Sequence, residues 1–174
     1  WTNFYPNSIG LLYSAITDYL GFEINEGEFK VMSLSSFGKP IYEMELKKIF
    51  DIDNFTINMD YFEFHKSPSK SFSKKLCEVF GEPYLNINEE ANFKKYADIA
   101  SSTQLILEQT MKNLILKAMD LSGKRKIILT GGVALNCKMV HSLSKQNIFE
   151  EMIIPPSPGD SGSAIGAANF AFLE

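Results

Sequence analysis

Two glycine-containing segments near the end of the chain carry residue types that can hold a nucleotide. They are residues 130–136 (TGGVALN) and residues 156–162 (PSPGDSG). The adjacent glycines at 131 and 132 lack Cβ atoms, so a planar or phosphorylated ligand can approach the backbone closely. The N-terminus of a following helix offers N–H groups to an anion or to polar nucleotide atoms. On spacing alone, a tight turn between a strand and a helix accounts for the two glycines equally well.

Each segment also contributes one polar side chain of interest. Asn136 is expected one turn into a helix that starts at Val133, where its amide can bond a ribose or a base. Asp160 precedes a predicted helix from Gly162, and its commoner role would be to cap that helix. The alternative is a carboxylate close to a metal or phosphate. Two glycine loops at the same edge of neighbouring parallel strands would favour a nucleotide crevice over either loop alone.

A third candidate lies earlier, where Glu28 and Lys30 follow Gly27. Such a pair is most often no more than two solvated charges on a short helix. Beside a glycine, the same charges can instead face a phosphate or a ribose.

The elements that would position these residues follow from hydrophobic periodicity. Helices are predicted at 8–20, 28–34, 41–50, 69–80, 93–121, 133–145 and 162–173, and a hairpin at 55–59 and 61–65. Buried strands at 126–130 and 151–154 flank one of the helices. A strand, a crossover helix and a second strand predict a parallel βαβ unit, so the class is α/β with a mixed sheet flanked by helices.

Composition limits the function classes. The 174 residues are 45% hydrophobic, which suffices for a packed domain or lobe, and 17 basic against 21 acidic side chains give a net charge of −4. Non-specific binding to nucleic acid is therefore not expected. The apolar run 164–173 is too short to span a bilayer, and two cysteines without ligand spacing favour a reducing cytoplasm. A start at Trp1 and an apolar end suggest a piece of a longer protein.

Together, several segments resemble the NodU/CmcH family of O-carbamoyltransferases. The matching segments occur in the family's order: 6–15 (PNSIGLLYSA), 19–22 (YLGF), 27–34 (GEFKVMSL), 97–100 (ADIA), 131–137 (GGVALNC) and 156–168 (PSPGDSGSAIGAA). The resemblance spans nearly the whole chain, with a variable insertion at about 39–92. This sequence departs from the family pattern at two places. Ser33 replaces a glycine that is usual in the family, and Ser161-Gly-Ser replaces the usual Ala-Gly-Gly or Ala-Gly-Thr.

The resemblance implies one lobe of an actin/sugar-kinase/Hsp70-like ATPase fold, extending over residues 1–174. In this family, a separate domain makes carbamoyl-adenylate from ATP and carbamoyl phosphate. The present domain then passes the carbamoyl group to a substrate hydroxyl with the help of a divalent metal, with iron expected. Related enzymes of the same fold remain alternatives, namely a tRNA threonylcarbamoyl transferase or a sugar kinase. A non-catalytic nucleotide-binding or interaction module is a further alternative.

The resemblance also implies roles for individual residues. Gly131, Gly132, Val133 and Asn136 would hold the adenosine, and Asp160 would be a metal ligand. The residues expected near the ribose and phosphates are Ser14, Gly27 and Lys30. Ser14 stands where the tRNA-modifying relatives place an acidic residue, so its contact would be neutral instead of charged.

Parts of the family's machinery are not found in this sequence. A His-x-x-x-His metal motif and the carbamoyl-phosphate domain are both missing from the 174 residues. We therefore expect no catalytic residue within this segment, an incomplete metal site and no turnover by the segment alone. The expected partners are the N-terminal lobe, the C-terminal domain and a small-molecule hydroxyl acceptor, with no membrane involved.

Overall fold

The computed structural model describes residues 1–67 and 70–173, which form two compact units, 1–113 and 114–174. Each unit contains helices and a two-stranded sheet, so the α/β class predicted from the sequence is confirmed. The predicted single mixed sheet is wrong for the described residues. The antiparallel pair and the parallel pair belong to separate sheets.

The helices, in chain order, are α1 (Ile9–Tyr19), α2 (Glu28–Leu34), α3 (Glu43–Ile49), α4 (Lys74–Phe80), α5 (Glu90–Ser122), α6 (Cys137–Ser144) and α7 (Gly162–Leu173). The strands are β1 (Phe50–Asp51), β2 (Thr56–Ile57), β3 (Lys126–Ile128) and β4 (Glu151–Ile153). Short 3-10 turns occupy Met59–Tyr61 and Gly132–Leu135. Among the described residues, no helix is both long and apolar enough to cross a membrane.

Helix α1 starts and stops where its sequence predicts. The Ser8 hydroxyl accepts a hydrogen bond from the Leu11 N–H at 3.4 Å, which satisfies one of the unpaired donors of the first turn. Gly21 follows the helix with φ +83°, the left-handed conformation that glycine adopts readily. The apolar side chains of Leu12 and Ile16 are completely buried. Helix α1 therefore contributes a core face to the first unit.

Helix α5 provides the surface on which the segment before α3 rests. The backbone N–H of Lys39 donates to Asp98 Oδ1 at 2.7 Å, and the N–H of Tyr42 donates to Ser102 Oγ at 3.0 Å. A Cβ on Gly38 would fall inside the contact distance of the Ala97 carbonyl on α5. The α2–α3 connection thus lies directly against the α5 backbone, and its N–H groups bond α5 side chains.

The predicted hairpin at 55–59 and 61–65 is wrong, because its first strand pairs with a strand that precedes it in the chain and not with residues 61–65. β2 pairs with β1, with Phe50 opposite Ile57. Phe55 takes φ +57° and so belongs to the turn before β2. After β2, the Asn58 side chain accepts from the Asp60 N–H at 3.2 Å and starts a 3-10 turn where a second strand was predicted.

The remaining helix predictions differ from the structure mainly at their ends. α3 begins at Glu43 instead of residue 41, α5 extends three residues further towards its N-terminus, and α4 begins at Lys74. Ser69, the predicted start of α4, lies outside the described residues. α7 has the predicted bounds. Apolar periodicity locates helices well, but their ends depend on local polar contacts.

The second unit contains the predicted parallel strand pair. Lys126 lies opposite Glu151 and Ile128 opposite Ile153, with α6 in the connection between β3 and β4. Lys126 Nζ lies 3.1 Å from Glu151 Oε2 across the pair. The Leu129 N–H donates to the Ile153 carbonyl at 2.9 Å, which continues the pairing beyond β3. This register sets which residues meet at the carboxyl end of the sheet.

Substitution of Gly38 by alanine should strongly destabilise the first unit. The new Cβ would press against backbone atoms of α5 around Ala97, which cannot move away as a flexible side chain does. We expect a loss of about 3 kcal/mol in the free energy of unfolding, measured by urea denaturation of the full-length protein. Gly132→Ala is the matched control, because a Cβ there would meet no described atom within 4 Å. Equal stability of the two variants would contradict this packing.

Candidate functional site

The turn after β3 depends on the backbone of Gly131. This residue has φ +95° and ψ 165°, a conformation that is essentially restricted to glycine. Its N–H donates to the Pro158 carbonyl oxygen at 2.7 Å. Pro158 lies in the loop that follows β4. The hydrogen bond therefore joins the loop after β3 to the loop after β4.

A second contact brings the same two loops together. A Cβ built on Gly159 would lie 3.6 Å from Leu135 Cδ1, at ordinary van der Waals distance. With the parallel register of β3 and β4, these contacts confirm that both glycine loops open at one edge of neighbouring strands. This edge is where open α/β sheets usually bind ligands.

No described contact requires a glycine at position 132, and the same is true of Gly166 in α7. A Cβ on Gly27 would lie 2.6 Å from Phe22 Cβ, and one on Gly162 would collide with the Ser157 carbonyl. A Cβ on Gly132 would meet no described atom within 4 Å, and the residue is exposed. Gly132 also lacks the positive φ that accounts for Gly131. Neither packing nor backbone strain therefore accounts for this glycine, and a closely bound ligand is a physical reason for it.

Asn136 does not lie one turn into a helix, as the sequence suggested. Residues Gly132–Leu135 form the 3-10 turn, and α6 begins only at Cys137. Asn136 is the N-cap of α6, and its Oδ1 accepts a hydrogen bond from the Met139 N–H at 2.9 Å. The apolar periodicity runs from Val133 through α6 without interruption, so it hides this break. Any ligand contact of Asn136 must therefore coexist with its role as a cap.

Asp160 does not cap α7 with its side chain. α7 begins two residues later, at Gly162. The carbonyl oxygen of Asp160 accepts from the Ser163 N–H at 3.1 Å and from its hydroxyl at 2.7 Å. The exposed carboxylate accepts no hydrogen bond and forms no ion pair within the described parts of the chain. Ser163 thus holds the backbone of Asp160, while the carboxylate is open to solvent.

The other three predicted site residues lie in the first unit. The Ser14 hydroxyl donates to Glu28 Oε1 at 2.7 Å, and the Asn25 N–H donates to the same oxygen at 3.0 Å. Gly27 is buried, and close packing alone accounts for it. Lys30 is exposed, with its Nζ 5.8 Å from the centre of the Phe22 ring.

Two participants were missed by the sequence analysis. Glu28 was weighed as a surface charge, whereas the structure shows it as the partner of Ser14. The sequence did not single out Pro158, whereas its carbonyl is the acceptor that joins the two loops. Neither contact has a signal in local sequence, because both connect residues from different elements.

Asp160 was predicted as a metal ligand, and its chemistry fits that role. Carboxylate oxygens bind divalent cations, and this carboxylate is exposed. Within residues 1–67 and 70–173, no three His, Cys, Asp or Glu side chains are grouped to hold a metal. Asp160 can therefore supply one ligand, and the described residues do not supply the others as a cluster.

Comparisons with known proteins identify the family. The family model for the carbamoyltransferase N-terminus matches residues 1–169. The protein sll1178 of Synechocystis is 37% identical over 172 residues, which cover 97% of this chain and 28% of the relative. Nodulation protein NolNO of Sinorhizobium fredii is 28% identical over 166 residues, which cover 93% of this chain and 22% of the relative. Protein MJ1051 of Methanocaldococcus jannaschii is 32% identical over 168 residues, which cover 93% of this chain and 29% of the relative.

The chain thus spans about a quarter of the length of these relatives. The family match covers both glycine loops and the α1–α2 region, the same segments that carried the resemblance in sequence. The chain therefore belongs to the carbamoyltransferase N-terminus family, as its motifs predicted.

Proposed function

We propose that this chain is the nucleotide-binding part of an ATP-dependent O-carbamoyltransferase. The full-length protein would transfer a carbamoyl group from carbamoyl-adenylate to the hydroxyl group of a small molecule. Family membership supports the carbamoyl chemistry, and some of the similar proteins are nodulation proteins by name. The observation that carries the nucleotide site is the 2.7 Å hydrogen bond from Gly131 to Pro158, which brings both glycine loops together.

The adenosine would lie against the turn after β3. Gly131 and Gly132 are exposed and carry no side chains, so a flat base or a ribose can approach their peptide groups. Val133 is half-buried and follows directly, where it can contact one side of the nucleoside. Asn136 would add a polar contact at the start of α6.

Ser14, Gly27 and Lys30, which lie in the first unit, stay predicted contacts of a ribose and phosphates. The Ser14 hydroxyl uses its single hydrogen in the bond to Glu28. A serine oxygen retains acceptor capacity when its hydrogen is donated, so Ser14 can still accept from a ribose hydroxyl. Gly27 would contribute through its backbone, and the exposed Lys30 would offer a positive charge to a phosphate.

The proposed transfer is an acyl substitution. The acceptor hydroxyl oxygen forms a bond to the carbonyl carbon of the carbamoyl group. The bond from that carbon to the phosphate oxygen of AMP breaks, AMP leaves with the electron pair, and the hydroxyl proton is released. The contribution of this chain would be to hold the AMP part still, so that two bound partners react in a fixed orientation.

Asp160 is proposed as one ligand of a divalent metal, with iron as the expected ion. Such a metal acts as a Lewis acid towards an oxygen of the reacting groups when it is bound. The remaining ligands would come from the full-length protein, together with its other lobe and its carbamoyl-phosphate domain. We also propose that this chain forms one lobe of an actin/sugar-kinase/Hsp70-like fold in the full-length protein.

The products of the nucleotide reaction test the function directly. The full-length protein, supplied with ATP and carbamoyl phosphate, should release pyrophosphate and inorganic phosphate as the adenylate forms. When an acceptor hydroxyl or water then attacks the carbamoyl carbon, AMP should be released, so that AMP and pyrophosphate accumulate in equal amounts. Both products can be quantified by chromatography. The control without carbamoyl phosphate should form neither above background. ADP as the main product would indicate phosphoryl transfer, as in a sugar kinase, and would contradict the proposal.

Gly132→Ala should weaken nucleotide binding without loss of stability. The added methyl group has free space in the structure but would occupy the surface that the nucleotide is proposed to contact. We expect at least a tenfold rise in the Kd for AMP, about 1.4 kcal/mol, measured by calorimetric titration of the full-length protein. Unfolding should change little. Unaltered affinity would show that the nucleotide does not lie against this turn.

Substitutions at Asn136 can separate its cap from a ligand contact. Asn136→Ser keeps an N-cap acceptor for the Met139 N–H, whereas Asn136→Ala removes it and should cost about 1 kcal/mol of stability. Both variants lack the amide, so both should bind AMP several-fold more weakly. The measurements are AMP titration and urea unfolding of the full-length protein. Wild-type affinity in Asn136→Ser would assign Asn136 to capping alone.

A further inference from the structure

We draw no further inference here: the strongest candidate, the cavity of about 450 Å³ beside β1 and β2 in the first unit, carries none, because the polar side chains in its lining, such as Lys48, Thr56 and Asn58, are exposed, and none of the buried polar atoms that lack a hydrogen-bond partner in the described parts of the chain belongs to its lining, so that nothing in the structure shows what would bind there.

Discussion

The hydrogen bond from the Gly131 N–H to the Pro158 carbonyl determines the geometry of the candidate site. It forms because two conditions hold together. The parallel register of β3 and β4 brings the two loops to the same level, and glycine permits φ +95° at Gly131. A side chain at this position would force the turn into another conformation, and the N–H would point elsewhere. The placement of Gly132, and of the residues that follow it, depends on this turn.

The space around each glycine separates structural roles from functional ones. Gly27, Gly38 and Gly162 lack side chains because neighbouring atoms occupy the space a Cβ would take. Gly132 faces open space, and this difference supports a ligand at the turn after β3. It does not support one at Gly27, where packing alone requires a glycine.

The sequence predicted those features that arise from periodicity and from neighbours in the chain. The bounds of α2 and α7, the parallel pair β3–β4 and the meeting of the two loops were all predictable. The end of the 3-10 turn was not predictable. A single hydrogen bond, which the Met139 N–H donates to the Asn136 side chain, starts α6 four residues later than periodicity suggests. The bond from Ser14 to Glu28 was beyond prediction as well, since it depends on how α1 and α2 pack.

The position of Asp160 depends on the first turn of α7. Ser163, in the first turn of α7, bonds the Asp160 carbonyl through both its N–H and its hydroxyl. The hydroxyl oxygens of Ser157 and Ser161 lie 2.6 Å apart, which closes the loop just before the helix. The backbone of Asp160 therefore moves with α7. These contacts hold the backbone that carries the Asp160 carboxylate in one position relative to α7. A metal ligand needs such a fixed position, because coordination tolerates displacements of only a few tenths of an ångström.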